Sequence, residues 1–191
     1  MTPDAIIEEA VKPWFRDTFK SWAAPLLARK EWGLLNHTGR ADLAVITPAN
    51  FLHLVEVKGQ NDDCRRLRGQ AVTYSKVAHF CYLFAVPKLA AEALTIVPSW
   101  WGVFSAGIAG TAQLQPPRLN PDLKAKDVLG LLWADELREL ARARSVKVSG
   151  RKQQVIERIA TGGSRVLIGK ALSVIRNRKD GDGARPFFAA L

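Results

Sequence analysis

The stretch FLHLVEVKGQ, residues 51–60, decides how this chain is read. Phe51, Leu52, Leu54, Val55 and Val57 form an apolar run of strand-forming residues, and Gly59 closes it. Glu56 and Lys58 interrupt the run two residues apart, and a strand's period of two puts both on one face. A Glu-x-Lys pair in a strand is ordinarily a solvated face, where neighbouring charges contribute on the order of tenths of a kcal/mol. The residues upstream make that explanation a poor one.

RADLAVI, residues 40–46, alternates as a second strand, and TPAN between the two supplies turn residues. Antiparallel pairing about Ala49 sets Ile46 across from Leu52, Ala44 across from Leu54, and Asp42 across from Glu56. Directly opposed residues have Cβ atoms about 5 Å apart, so the two carboxylates repel unless something positive sits between them. Lys58 is one candidate, and a divalent cation is the better one.

Composition narrows the class. An apolar fraction of 48% supports a real core, and a net charge of +10 suggests a polyanionic partner, either nucleic acid or an anionic membrane surface. The two cysteines, Cys64 and Cys81, have neither disulfide-framework density nor metal-ligand spacing, which points to a reducing, cytoplasmic setting. The acidic start MTPDAIIEEA lacks the order of a signal peptide, and no apolar run approaches the roughly 18 residues of a membrane span. Charge is uneven. Residues 1–117 carry 12 Lys/Arg against 10 Asp/Glu, and residues 118–191 carry 16 against 8. The proline-rich QLQPPRLNPDLKAKD falls at the break and reads as a boundary or linker. The expected domains are therefore 1–117, nearly neutral, and 124–191, basic and helical.

Along the first part, residues 4–22 carry a helical pattern in which Pro13 is a kink or a break. A loop or strand precedes RADLAVI. After the opening stretch, Asn61, Asp62 and Asp63 suit a helix start, with Leu67, Tyr74 and Val77 at helical spacing. FCYLFAVP is a further buried strand stopped by Pro87. Helix, strand, strand, helix, strand is an α/β order.

Asp42, then 13 residues, then Glu56-Val57-Lys58, flanked by helices, resembles the PD-(D/E)xK nuclease superfamily. Arg40-Ala41 stand where that family usually has a proline before the aspartate. Gln70-Ala71-Val72-Thr73-Tyr74 is similar to the Gln-x-x-x-Tyr signature of its exonuclease-like branches, and i, i+4 spacing gives Gln70 and Tyr74 one helix face. RADLAVI, EVKGQNDDCRRLRGQAVTY, VPSWWGV and LLWADEL together resemble a little-characterised branch found in bacterial genomes and mobile elements. The resemblance implies a restriction-endonuclease-like α/β core, a central mixed sheet flanked by helices, with a small helical C-terminal appendage. It also implies Mg²⁺, with Mn²⁺ as a possible substitute, held by Asp42 and Glu56 and by the Val57 carbonyl. Lys58 would then orient or help deprotonate water, or steady charge on the phosphate. Glu8, at the edge of the first helix's apolar face, is the candidate third acid.

Further candidates are for binding. Arg65, Arg66 and Arg68 crowd the start of the helix after the motif, as either a solvated face or phosphate contacts. Trp100 and Trp101 either stack on bases or pack the domain edge. Near the C-terminus, two short helices resemble a SAP-type DNA-binding pair at Leu137, Leu140, Gly150, Lys152, Val155 and Ile159; the alternative is a helical hairpin packed on the nuclease core. Arg151 and Lys152 lead its second helix, a place able to hold phosphate. Residues 164–178 read as one more helix. The expected function is a Mg²⁺-dependent nuclease acting on DNA. The rivals are a catalytically silent DNA-binding or accessory protein, and an RNA-acting nuclease.

Overall fold

A computed structural model describes residues 1–19, 27–34, 39–161 and 165–178. Six strands form one sheet in sequence order: β1 (Leu27–Leu34), β2 (Gly39–Ile46), β3 (Leu52–Lys58), β4 (Phe80–Ala85), β5 (Gly102–Gly107) and β6 (Gly110–Gln115). Strands β1 to β3 are antiparallel, β3 to β5 run parallel, and β6 returns antiparallel along the edge. The parallel steps need crossovers, which α3 (Leu67–Ser75) and α4 (Pro87–Ala93) supply. This is the mixed sheet flanked by helices that the sequence implies. Helix α4 and strands β5 and β6 go beyond the elements that the sequence pattern implies. Pro87, read as a stop, also starts α4, since its missing N–H costs nothing at a first helical position.

The N-terminal helix covers one face. It runs from α1 (Pro3–Ile6) through a π-helical turn (Ile7–Val11) into α2 (Lys12–Phe19). Pro13 has no N–H to give to the preceding turn, and the π turn just before it takes up the mismatch without a break. Ile6, Ile7, Val11 and Phe15 pack there with Leu43, Val45, Val55, Val57, Tyr82 and Phe84. Gly59 allows the chain's start to cross the end of β3: a Cβ there would lie 2.6 Å from Pro3 Cδ.

The other face carries α3 and the C-terminal helices α5 (Ala125–Leu129), α6 (Ala134–Arg142), α7 (Lys152–Ala160) and α8 (Arg165–Arg176). Leu52, Leu54, Tyr74 and Trp101 share one apolar cluster with Leu132, Leu137, Ile156, Leu172 and Ile175. The boundary expected near residue 117 is therefore not a joint between independent units. Asn120, in the proline-rich stretch, is buried and donates to the carbonyls of Ser75 and Ala78. Arg176 reaches the Pro48 carbonyl at 2.8 Å in the β2–β3 turn. Prolines break secondary structure here, but apolar burial on both sides holds the segment to the sheet.

Candidate active site

The two motif strands pair as the sequence implies, from Ile46 opposite Leu52 to Leu43 opposite Val55. One residue further, the ladder stops. Asp42 does not pair with Glu56 across the ladder; its Oδ2 accepts the Val57 N–H at 2.7 Å. On its other side, β1 pairs at Lys30 and Trp32 but skips Glu31, which has φ 55. A left-handed conformation costs a residue with a Cβ about 1 kcal/mol or more. Asp42 thus sits where both neighbouring ladders are interrupted, and its side chain takes over a backbone bond that β2 no longer makes.

Glu56 and Lys58 point from β3 to the α3 side, 2% and 4% exposed, with Lys58 Nζ 2.6 Å from Glu56 Oε1. The solvated-face reading fails on that burial. Gln70 Nε2 donates to the same Glu56 oxygen at 2.6 Å, and Lys58 Nζ lies 3.3 Å from Gln70 Oε1. The fully buried Tyr74 shares its single hydroxyl proton between Glu56 Oε2 at 2.5 Å and the Arg40 carbonyl at 2.7 Å. Gln70 and Tyr74 therefore reach the acid from one helix face, as their spacing requires. Trp101 backs Tyr74, with rings 5.9 Å apart and an interplanar angle of 11°, so it packs and is not a stacking surface for bases.

Electrostatics single out Asp42. Burial, and then the Glu56 carboxylate, push its carboxyl up to about 7, against the opposing pulls of the Val57 N–H and Lys58. Burial first, then the Glu56 charge, also raise the Tyr74 phenol, which stays a protonated donor. Two acids in a desolvated place supply hard oxygen donors suited to a small divalent cation. Among the described residues no group of three or more His, Cys, Asp or Glu converges as a metal site. A cation here would keep several waters, which Mg²⁺ readily does.

Other expected residues lie elsewhere. Glu8 belongs to the helix on the opposite face of the sheet, where Lys12 pairs with it at 2.5 Å, so it does not complete the site. The apolar face of that helix is what packs, and Glu8 lies beside it. Helix α3 begins at Leu67, several residues after the expected start, because the acids before it cap turns. Asp62 accepts the Gly59 N–H and Asp63 the Arg65 N–H. Arg65 is also engaged by Asp63, 2.7 Å from its Nε, while Arg66 and Arg68 are solvent-exposed. Arg151 is exposed at the start of α7, and Lys152 Nζ is tied to the Gly130 carbonyl at 2.8 Å. Gly150 takes φ 105 before that helix, a conformation that favours glycine. Among the described residues no helix is long and apolar enough to cross a membrane.

A family model described as "Bacteriophage P4 protein cII" matches residues 21–184. No curated protein matches the chain. Among solved structures, SPO1766, a protein of unknown function from Silicibacter pomeroyi, is similar with a TM-score of 0.43 and 12% identity, covering 94% of this chain and 97% of that one.

Proposed function

We propose that this chain, which belongs to the bacteriophage P4 protein cII family, is a Mg²⁺-dependent nuclease that hydrolyses DNA phosphodiester bonds in the cytoplasm. The observation that carries the reading is the convergence of Asp42, Glu56 and Lys58 where β2 parts from β3, on the face where Gln70 and Tyr74 meet them.

In this reading Asp42 and Glu56, with the Val57 carbonyl, hold Mg²⁺, for which Mn²⁺ could substitute. When bound, the ion neutralises phosphate charge and makes a coordinated water more acidic. Lys58 supplies a positive charge fixed against Glu56, placed to steady charge that grows on the phosphate in the transition state. Gln70 and Tyr74 act as positioning residues: they fix the Glu56 carboxylate, and the fully buried Tyr74 is out of reach of any substrate. Helices α6 and α7, similar to a SAP-type pair, and the basic connection between them, which carries Arg144, Lys147 and Arg151, hold the DNA through phosphate contacts. A phage-related family fits a mobile-element setting for such an activity.

One observation favours the rival, a catalytically silent DNA-binding protein. All of the protein donors around Glu56 already occupy both of its oxygens, and Lys58 is almost wholly covered. Incubating the purified protein with linear, circular and single-stranded DNA, and with RNA, in Mg²⁺, Mn²⁺ or EDTA separates the readings. Metal-dependent cleavage that Asp42→Asn abolishes supports the nuclease. No cleavage and no Mg²⁺-induced thermal shift would leave the binding protein.

A further inference from the structure

Trp133 is 50% exposed, yet its indole is held in place. The Arg178 guanidinium lies over the ring, 4.1 Å from its centroid. Arg178 is itself locked by a two-point ion pair, Nε to Glu136 Oε1 at 2.7 Å and Nη2 to Glu136 Oε2 at 2.6 Å, and by donation to the Leu131 carbonyl at 3.0 Å. Glu136 Oε2 also accepts the backbone N–H of Trp133 at 2.7 Å. A buried cation thus clamps one region of the indole, and the rest meets solvent. An exposed aromatic fixed this firmly contributes nothing to the core, but it is preorganised to stack on another ring.

Beside the clamp, between α5 and the start of α7, lies a cleft of about 380 Å³ lined by Lys126, Gly130, Arg151 and Lys152, with Asp127 as its single acid. Lys152 joins cleft to clamp: its Nζ donates to the Gly130 carbonyl, and burial and then Arg178 lower its pKa. Three cations facing one acid make the cleft suited to phosphate, while the indole wants a planar, unstacked ring. In a duplex each base is already stacked between its neighbours and offers no free face. A single strand offers both features along one backbone.

Resting on the nucleic-acid reading above and extending it to strand state, we propose that Trp133 and the Lys126–Arg151–Lys152 cleft bind single-stranded nucleic acid, the indole stacking an unpaired base and the cations holding adjacent phosphates.

The test is fluorescence anisotropy of the full chain in EDTA, using a labelled pyrimidine 20-mer and the duplex of the same sequence. Trp133→Ala should weaken single-strand binding about tenfold, as loss of one base–aromatic stack does. Duplex binding and the slope of affinity against salt should stay within twofold. Trp133→Phe should recover most of the single-strand affinity. Lys126→Ala with Arg151→Ala should instead flatten the salt slope for both ligands, because fewer counterions are released. Equal effects of Trp133→Ala on single strand and duplex, or none on either, would overturn the site. EDTA prevents cleavage, so failure here leaves the metal-dependent assay untouched, and the reverse also holds.

Discussion

Tyr74, with no solvent exposure, places its hydroxyl 2.5 Å from Glu56 Oε2 and so fixes the acid from the α3 side of the sheet. Tyr74→Phe removes that donor and leaves the buried carboxylate with Lys58 and Gln70 alone. The expected cost is about 1–3 kcal/mol in denaturant unfolding, the range for an unsatisfied buried partner. Cleavage should slow while DNA affinity stays unchanged, since a buried hydroxyl touches no substrate. A Tyr74→Phe protein that loses DNA affinity at full stability would refute the positioning role.

Asp42 makes stability depend on pH in a defined window. Its folded pKa of about 7 lies above the ordinary 3.8, so between these values the folded state holds a proton that the unfolded state has lost. Without metal, this residue's contribution is greatest below pH 4 and is lost as pH rises through 7. Asp42→Asn should flatten that decline in thermal unfolding measured from pH 4 to 8. A bound divalent ion must displace the proton, so the Mg²⁺-induced thermal shift should grow across pH 7. A shift that shrinks with rising pH would exclude Asp42 as a ligand.

The Glu56–Lys58 pair is buried, so removing one member costs more than removing both. Glu56→Gln and Lys58→Met should each destabilise by about 3 kcal/mol, and the double variant by clearly less than their sum. Additive effects in a double-mutant cycle would mean the two groups do not sense each other. Either single change should also abolish metal-dependent cleavage.

The C-terminal helices complete the core that backs the site. Leu172→Ala, at a position with no exposure, should destabilise the whole chain by about 2–5 kcal/mol in a single transition. Deleting residues 124–191 should leave a protein without cooperative unfolding, because Leu132, Ile156 and Ile175 no longer cover the sheet. A truncation that unfolds sharply at the parent's temperature would show that the sheet needs no such cover.

Much of the site was legible from local periods alone. The alternation of residues 40–46 and 51–58 put Asp42, Glu56 and Lys58 on one face, and the TPAN turn set the register found from Ile46–Leu52 to Leu43–Val55. The i, i+4 spacing carried Gln70 and Tyr74 to the same acid. These relations follow from the strand's period of two and the helix's 3.6 residues per turn, and they hold wherever the element lands. What the chain could not announce were relations that depend on where elements pack. Glu8 borders a helix face that covers the other side of the sheet. Asp42 meets a backbone N–H in place of its expected partner because two ladders break beside it. Trp133 and Arg178 stand 45 positions apart, with nothing in either's neighbourhood to relate them. Only the packing of α5 to α8 on the sheet brought the guanidinium under the indole, since contacts between distant segments are chosen by burial of the whole and not by any period within one.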